Sequence, residues 1–194
     1  MNSLTIKEII SDYYKKNGFD PDGGESKSFV KVKIFKGLSF YLPNNDTRKK
    51  VILLHDIHHL LTGYSTVLQG EIEISTWELS TGCTKNWVAF TLNTYAMALG
   101  VLFKLKGIWK AWARGRNTRN LYNVNYNKEQ LMDKTLEELK KELGLLDEYK
   151  HQTALFATVL SFTGFLIFSL IFSGLSLVLI PFVLIYSVIV SLKN

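Results

Sequence analysis

The chain has 194 residues, a formal net charge of +6 and 47% hydrophobic residues, which suits one domain plus an appendage. Its single cysteine, Cys83, excludes an internal disulfide framework and agrees with a reducing compartment. Residues 1–16 lack the apolar core of a cleaved signal peptide, so export by that route is not expected.

Ile6, Ile9, Ile10 and Tyr13 fall at helical spacing, and Thr5 with Glu8 forms a capping box, which predicts an amphipathic helix over 5–16 ended by Asn17-Gly18. The run Asp20-Pro21-Asp22-Gly23-Gly24 reads as a loop. Val30, Val32 and Ile34 alternate with lysines as in a short strand, and Lys36-Gly37 would turn it into a second strand at 38–42. Residues 1–37 are thus expected to form a packing arm without chemistry of their own.

Pro43-Asn44-Asn45-Asp46 supplies cap residues for a helix at about 46–62. Arg48, Lys49 and Lys50 give way there to Val51-Ile52-Leu53-Leu54, an entry into a core, and that core then receives His55, Asp56, His58 and His59. Buried ionisable groups are costly unless paired or metal-bound. His55 and His59, four apart, stack one turn over the next, which is ligand spacing. Asp56 shares the edge of that face, as a third ligand or as the carboxylate that orients an imidazole. His58 either orients a neighbour or simply packs. The run His55-x-x-His58-His59 also matches one histidine box of membrane di-iron enzymes, but such sites need several boxes and the chain has only four His.

After the Thr62-Gly63 turn a second helix is expected from 66 to 80, with Glu71 and Glu78 on one face. Two imidazoles and one or two carboxylates suit zinc, with iron(II) or manganese also fitting. Glu78 reads equally as an acid that orients a ligand or as a solvated charge. The stretch 86–103 carries no charge and nominally reaches the length of a membrane span, although Asn86, Thr91, Asn93 and Thr94 dilute it.

Between Glu78 and Glu129 there is no acidic residue, whereas Lys104, Lys106, Lys110, Arg114 and Arg116 accumulate around Trp109 and Trp112. A basic segment with interfacial aromatics fits a surface resting on anionic lipid headgroups, and no nucleic-acid recognition fold accompanies it. Met132, Leu136, Leu139 and Leu143 form an apolar stripe that predicts a core-covering helix stopped by Gly144.

From 154 to 191 no residue is charged. A straight helix of that length would measure about 57 Å, nearly twice the roughly 30 Å hydrocarbon core. Ser173-Gly174 at its midpoint suggests a hairpin of two spans over 153–192, with Lys150 and Lys193 on one, cytoplasmic, side. The expected architecture is therefore mostly α: a helical soluble domain at 38–150 behind the N-terminal arm, followed by a two-helix transmembrane hairpin.

His55-Asp56-x-x-His59, eleven residues, then Glu71, resembles the signature of the coenzyme Q biosynthesis protein 4 family. Thr62-Gly63, Gly70-Glu71, Trp77-Glu78, Gly115-Arg116, Asn120-Leu121-Tyr122 and Leu139-Lys140-Lys141-Glu142-Leu143-Gly144 extend the similarity over roughly 38–146. The transmembrane tail departs from the family, whose members are usually held at a membrane surface without a spanning hairpin. The resemblance implies a mostly helical fold in which 86–103 is a central buried helix; on it rests the expectation that His55, His59 and Glu71, with Asp56 as ligand or orienter, form a catalytic metal site. It further implies a protein that holds a prenylated ring precursor at the membrane, organises partner enzymes, and replaces a ring carboxyl by hydroxyl through oxidative decarboxylation.

On that reading the partners are a prenylated quinone precursor or another isoprenoid lipid, the membrane and other quinone-biosynthesis proteins, with homo-oligomerisation left open. The bound cation would act as a Lewis acid, or in oxygen activation if it is iron. Two other function classes compete: a non-catalytic lipid-binding scaffold with a structural metal, and a metal-dependent lipid hydrolase.

Overall fold

The computed structural model describes residues 4–35, 38–146 and 155–191. Helix α1 (Ile6–Asn17) opens on the Thr5/Glu8 capping box and stops at Gly18 in the left-handed conformation. Strands β1 (Phe29–Phe35) and β2 (Leu38–Pro43) pair antiparallel. The turn expected at Lys36-Gly37 lies outside the described residues. Helix α2 (Asp46–Thr62) follows, then α3 (Leu68–Thr81), α4 (Trp87–Phe103) and α5 (Leu105–Gly115). A 3-10 turn at Leu121–Asn123 leads to α6 (Lys128–Asp133), α7 (Leu136–Glu142) and the long α8 (Leu155–Ser191).

Helix α3 is the centre of the packing, with α2, α4 and α5 against it. Its Ile72, Ile74 and Trp77 are fully buried, and the Trp77 indole N–H donates to Thr118 Oγ1 at 2.9 Å. Ile6, Ile10 and Tyr14 bring α1 into the same core, as Leu131, Leu139 and Leu143 bring α6 and α7. Cys83 is buried there too.

The stripe Met132 to Leu143 is two short helices rather than one. Thr135 leaves helical geometry to cap α7 through a box with Glu138, and it bridges to Thr5. A cap and an inter-segment bridge together stabilise a break that apolar spacing does not report.

The two-helix transmembrane hairpin is also corrected. Residues 155–191 form one continuous helix that passes through Ser173-Gly174 and Pro181 without reversal. The reason is local: a serine-glycine pair with no polar loop around it leaves the chain free to continue its i→i+4 bonds, and the Ser176 hydroxyl donates back to the Phe172 carbonyl at 2.7 Å. Among the described residues one segment, Leu155–Val178, is long and apolar enough to cross a membrane.

The first half of α8 is held against α4 and α5 by rings. Phe162 lies 5.2 Å from Trp109, Phe165 lies 5.2 Å from Trp112, and Phe168 lies 6.0 Å from Phe90. The Trp112 indole donates to Ser161 Oγ at 3.2 Å. Helix α4 is central only in part. Asn93, Thr94 and Met97 are buried, whereas Trp87, Leu92, Leu99, Leu102 and Phe103 are exposed.

Candidate metal centre

Helix α2 can carry its histidines inward because both of its ends are fixed. Asn45 Oδ1 accepts the Arg48 N–H at 2.9 Å, and Gly63, at φ 77°, returns its own N–H to the His59 carbonyl at 2.9 Å. The chain then turns so tightly that Gly70 lies against Ser65, where a Cβ would stand 2.0 Å from the Ser65 carbonyl oxygen. That approach sets the first turn of α3, and with it Glu71, opposite α2.

The result is a three-donor group of His55, His59 and Glu71. The two Nε2 atoms stand 3.2 Å apart, His55 Nε2 is 3.2 Å from Glu71 Oε2, and His59 Nε2 is 3.3 Å from Glu71 Oε1. Donors about 2.0–2.1 Å from one tetrahedral cation are separated by about 3.3 Å, so the spacing fits a zinc-sized ion.

The other ring nitrogens fix which lone pairs face inward. His59 Nδ1 lies 2.9 Å from the Tyr64 carbonyl, which can only accept, so Nδ1 bears the proton and Nε2 is the donor atom toward the centre. His55 Nδ1 donates likewise to Glu78 Oε1 at 2.9 Å. Two lone pairs 3.2 Å apart repel unless a proton or a cation lies between them. The donor set fits a divalent metal in that place, and a proton on His55 Nε2 fills it otherwise.

Glu78 is fully buried, and its partners are complete. Oε1 also receives His58 Nδ1 at 2.6 Å, and Oε2 receives the Asn93 amide at 2.6 Å and the Tyr122 hydroxyl at 3.3 Å. Burial pushes its pKa up, but His55 and His58 outweigh burial and hold it well below the usual carboxylate range. Burial raises Glu71 too, and hydrogen bonds from His55 and His59 bring it down to about 2. For His55, burial opposes the charged form and the two glutamates overcome it, so its pKa lies well above the ordinary histidine value.

His58 is not part of the donor group. Its Nδ1 is on Glu78, its Nε2 accepts the Leu121 N–H at 3.0 Å, and its burial lowers the pKa, which leaves a neutral imidazole with both nitrogens used. Asp56 also stays outside. It faces α1, where it bonds the Tyr14 side chain, and burial raises its carboxyl to about 6 against the pull of His55 and His59.

Sequence reasoning missed Asn93, Tyr122, Tyr13 and Tyr14. Asn93 was visible as an amide inside an apolar helix, Tyr122 as part of the Asn120-Leu121-Tyr122 motif and Tyr13 as a position on the apolar face of the first helix, none of which pointed to Glu78 or His59. The Tyr13 ring stacks 6.4 Å from that of His59, and its buried hydroxyl has no hydrogen-bond partner among the described residues.

The basic segment divides. Lys106, Lys110 and Arg116 are exposed, and Lys104 reaches Gln69 at 3.1 Å. Arg114 donates to the Thr62 carbonyl at 2.8 Å and covers the Tyr64 ring at 5.2 Å. Trp112 is 3% exposed and Trp109 packs on Phe162, so these two tryptophans hold α8 instead of facing headgroups.

The family model described as coenzyme Q (ubiquinone) biosynthesis protein Coq4 matches residues 5–148. The mitochondrial ubiquinone biosynthesis protein COQ4 of Yarrowia lipolytica is 25% identical over 92 residues, and that of Podospora anserina 26% identical over 91. Each alignment covers 47% of this chain, but 35% of the first relative and 30% of the second, so the chain spans about a third of the length of the curated relatives it matches. No solved structure matches. The family match extends over most of the chain and contains His55, His59, Glu71 and Glu78, and the chain belongs to the coenzyme Q biosynthesis protein Coq4 family.

Proposed function

We propose that this protein performs a metal-dependent step on a prenylated ring precursor at a membrane, in the making of ubiquinone or a related prenylquinone: an oxidative decarboxylation with dioxygen as the oxidant, in which the ring carboxyl leaves as carbon dioxide, water supplies the incoming hydroxyl and dioxygen leaves as hydrogen peroxide. The observation that carries the reading is the incomplete donor set. Among the described residues only His55, His59 and Glu71 converge. Structural zinc sites are closed by four protein ligands, whereas three ligands and an open position are the catalytic pattern. Zinc is the first candidate, ahead of iron(II) and manganese.

When bound, the cation supplies Lewis acidity toward a ring carboxylate or phenolate. The chain's own groups do the rest. Glu78 orients His55, the Tyr64 carbonyl orients His59, and the unpartnered Tyr13 hydroxyl beside His59 offers a donor to an oxyanion. Glu71, with its side chain 37% exposed, and His55, at 22%, form the open side from which substrate would enter.

Membrane attachment by α8 fits this role, because drawing a polyprenyl tail into water costs about 0.8 kcal/mol per methylene. Asn93 on α4 holds Glu78 while the same helix packs on α8, so one helix layer separates the metal centre from the apolar surface. Lys106, Lys110 and Arg116 would face the headgroups. A single helix in place of a hairpin does not bring both tail ends to one, cytoplasmic, side.

The test is metal content by elemental mass spectrometry of the full chain in detergent, for wild type, His59→Ala and Glu71→Ala. A near-stoichiometric metal in wild type, lost in both variants while the fold persists, is the expected result. A wild type without metal defeats the reading. Unfolding on chelation would instead identify a scaffold with a structural ion.

A further inference from the structure

A cleft of about 370 Å³ lies between α2, the loop that includes Gly23 and Gly24, and the start of α6. It is apart from the metal centre, none of whose donors lines it. Its one deeply buried charge is Arg48, 8% exposed. The guanidinium donates to Asn44 Oδ1 at 2.9 Å, and no acidic side chain among the described residues pairs with it. Burial draws its pKa below the ordinary value.

Two features of this arginine are unfavourable as they stand. A buried cation without an anion keeps its desolvation cost. A cation in the first turn of a 17-residue helix also faces the positive end of the helix dipole. An anion in the cleft would relieve both. The nearby acids are already engaged: Glu25 pairs with Lys128 at 2.5 Å, Asp22 accepts the Gly24 and Ser26 N–H groups, and Asp46 lies 3.8 Å from Lys49.

One wall is apolar, from Tyr14, Ile52, Leu53, Leu54 and Leu131, with the polar Asn44, Tyr126 and Asn127 beside it. Arg48, Lys49, Lys50 and Lys128 against Asp22, Glu25 and Asp46 leave a small positive excess, which suits one negative charge better than two. We propose that this cleft binds a small carboxylate with an apolar body, its two oxygens on the Arg48 fork and its body against the leucine wall. The site is independent of the metal centre and does not rest on the quinone reading.

The experiment is calorimetric titration of the detergent-solubilised full chain with benzoate and, separately, with inorganic phosphate. Wild type and His59→Ala are expected to bind benzoate alike, Arg48→Met at least tenfold more weakly, and Arg48→Lys in between, with phosphate weaker than benzoate throughout. Loss of binding in His59→Ala would put benzoate on the metal centre and overturn the proposal. So would unchanged binding in Arg48→Met, no benzoate binding by wild type, or a preference for phosphate. Should Arg48→Met fail to fold, modification of wild-type Arg48 by phenylglyoxal reads the same contact: benzoate should slow it at least fivefold, and an unprotected Arg48 overturns the proposal.

Discussion

His55 and Glu78, 23 residues apart on α2 and α3, are joined by a 2.9 Å hydrogen bond from Nδ1 to Oε1, and this bond decides which nitrogen of His55 faces the candidate metal centre. Because Glu78 serves His58, Asn93 and Tyr122 as well, the orientation of one ligand is tied to a buried network that four segments share.

Glu78→Gln is expected to keep the fold and lower metal affinity by about 10–100-fold, since the amide cannot receive both imidazole N–H groups and anchor Asn93 as a carboxylate does. Glu78→Ala, which leaves His55, His58 and Tyr122 without their acceptor, should cost about 3–5 kcal/mol of stability. Chelator competition measures the first and denaturant unfolding the second.

His58→Ala should separate structure from chemistry. Both nitrogens of this imidazole are spent within the protein, so the variant should lose about 1–3 kcal/mol through the stranded Leu121 N–H, while Glu78 Oε1 keeps His55. Its metal stoichiometry should stay at the wild-type value, unlike that of His55→Ala. A metal-free His58→Ala that remains folded would contradict the assignment.

Phe162→Ala should loosen α8 from the helical domain. Phe162 is 9% exposed between Trp109 and Trp112, and its truncation should cost about 3 kcal/mol. Tryptophan emission reports it, because opening this contact wets both indoles and moves their spectrum to longer wavelength. Metal content should not change.

The loop at 20–27 should respond to acid. Asp22 accepts the Gly24 N–H at 2.9 Å and the Ser26 N–H at 2.8 Å, and these hydrogen bonds, Ser26 first, lower its pKa to about 2. A carboxyl depressed from about 3.8 contributes order that is complete above the unfolded value and lost as pH falls through the folded one. Amide exchange at Gly24 and Ser26, corrected for the intrinsic rate, should therefore stay protected at pH 5 and lose protection between about pH 4 and 2. In Asp22→Asn that pH dependence should disappear.

The sequence by itself determined the local elements and the chemistry of the site. Thr5/Glu8, Asn45 and Gly63 fixed the ends of α1 and α2, because caps act within one turn. The i, i+4 pair His55 and His59 marked two candidate donors for the same reason, helical spacing being a short-range property, and Glu71 followed from the family spacing. Only the tertiary structure decided which polar groups meet. It turned Asp56 toward Tyr14 and away from the donors, used up both nitrogens of His58, and brought Asn93 from an apolar helix to Glu78. It also ran α8 straight through Ser173-Gly174 and spent Trp109 and Trp112 on holding it. Hydrophobicity says that such residues leave water. Whether they enter lipid or meet a neighbouring helix depends on packing between segments far apart in the chain, and no local pattern encodes that.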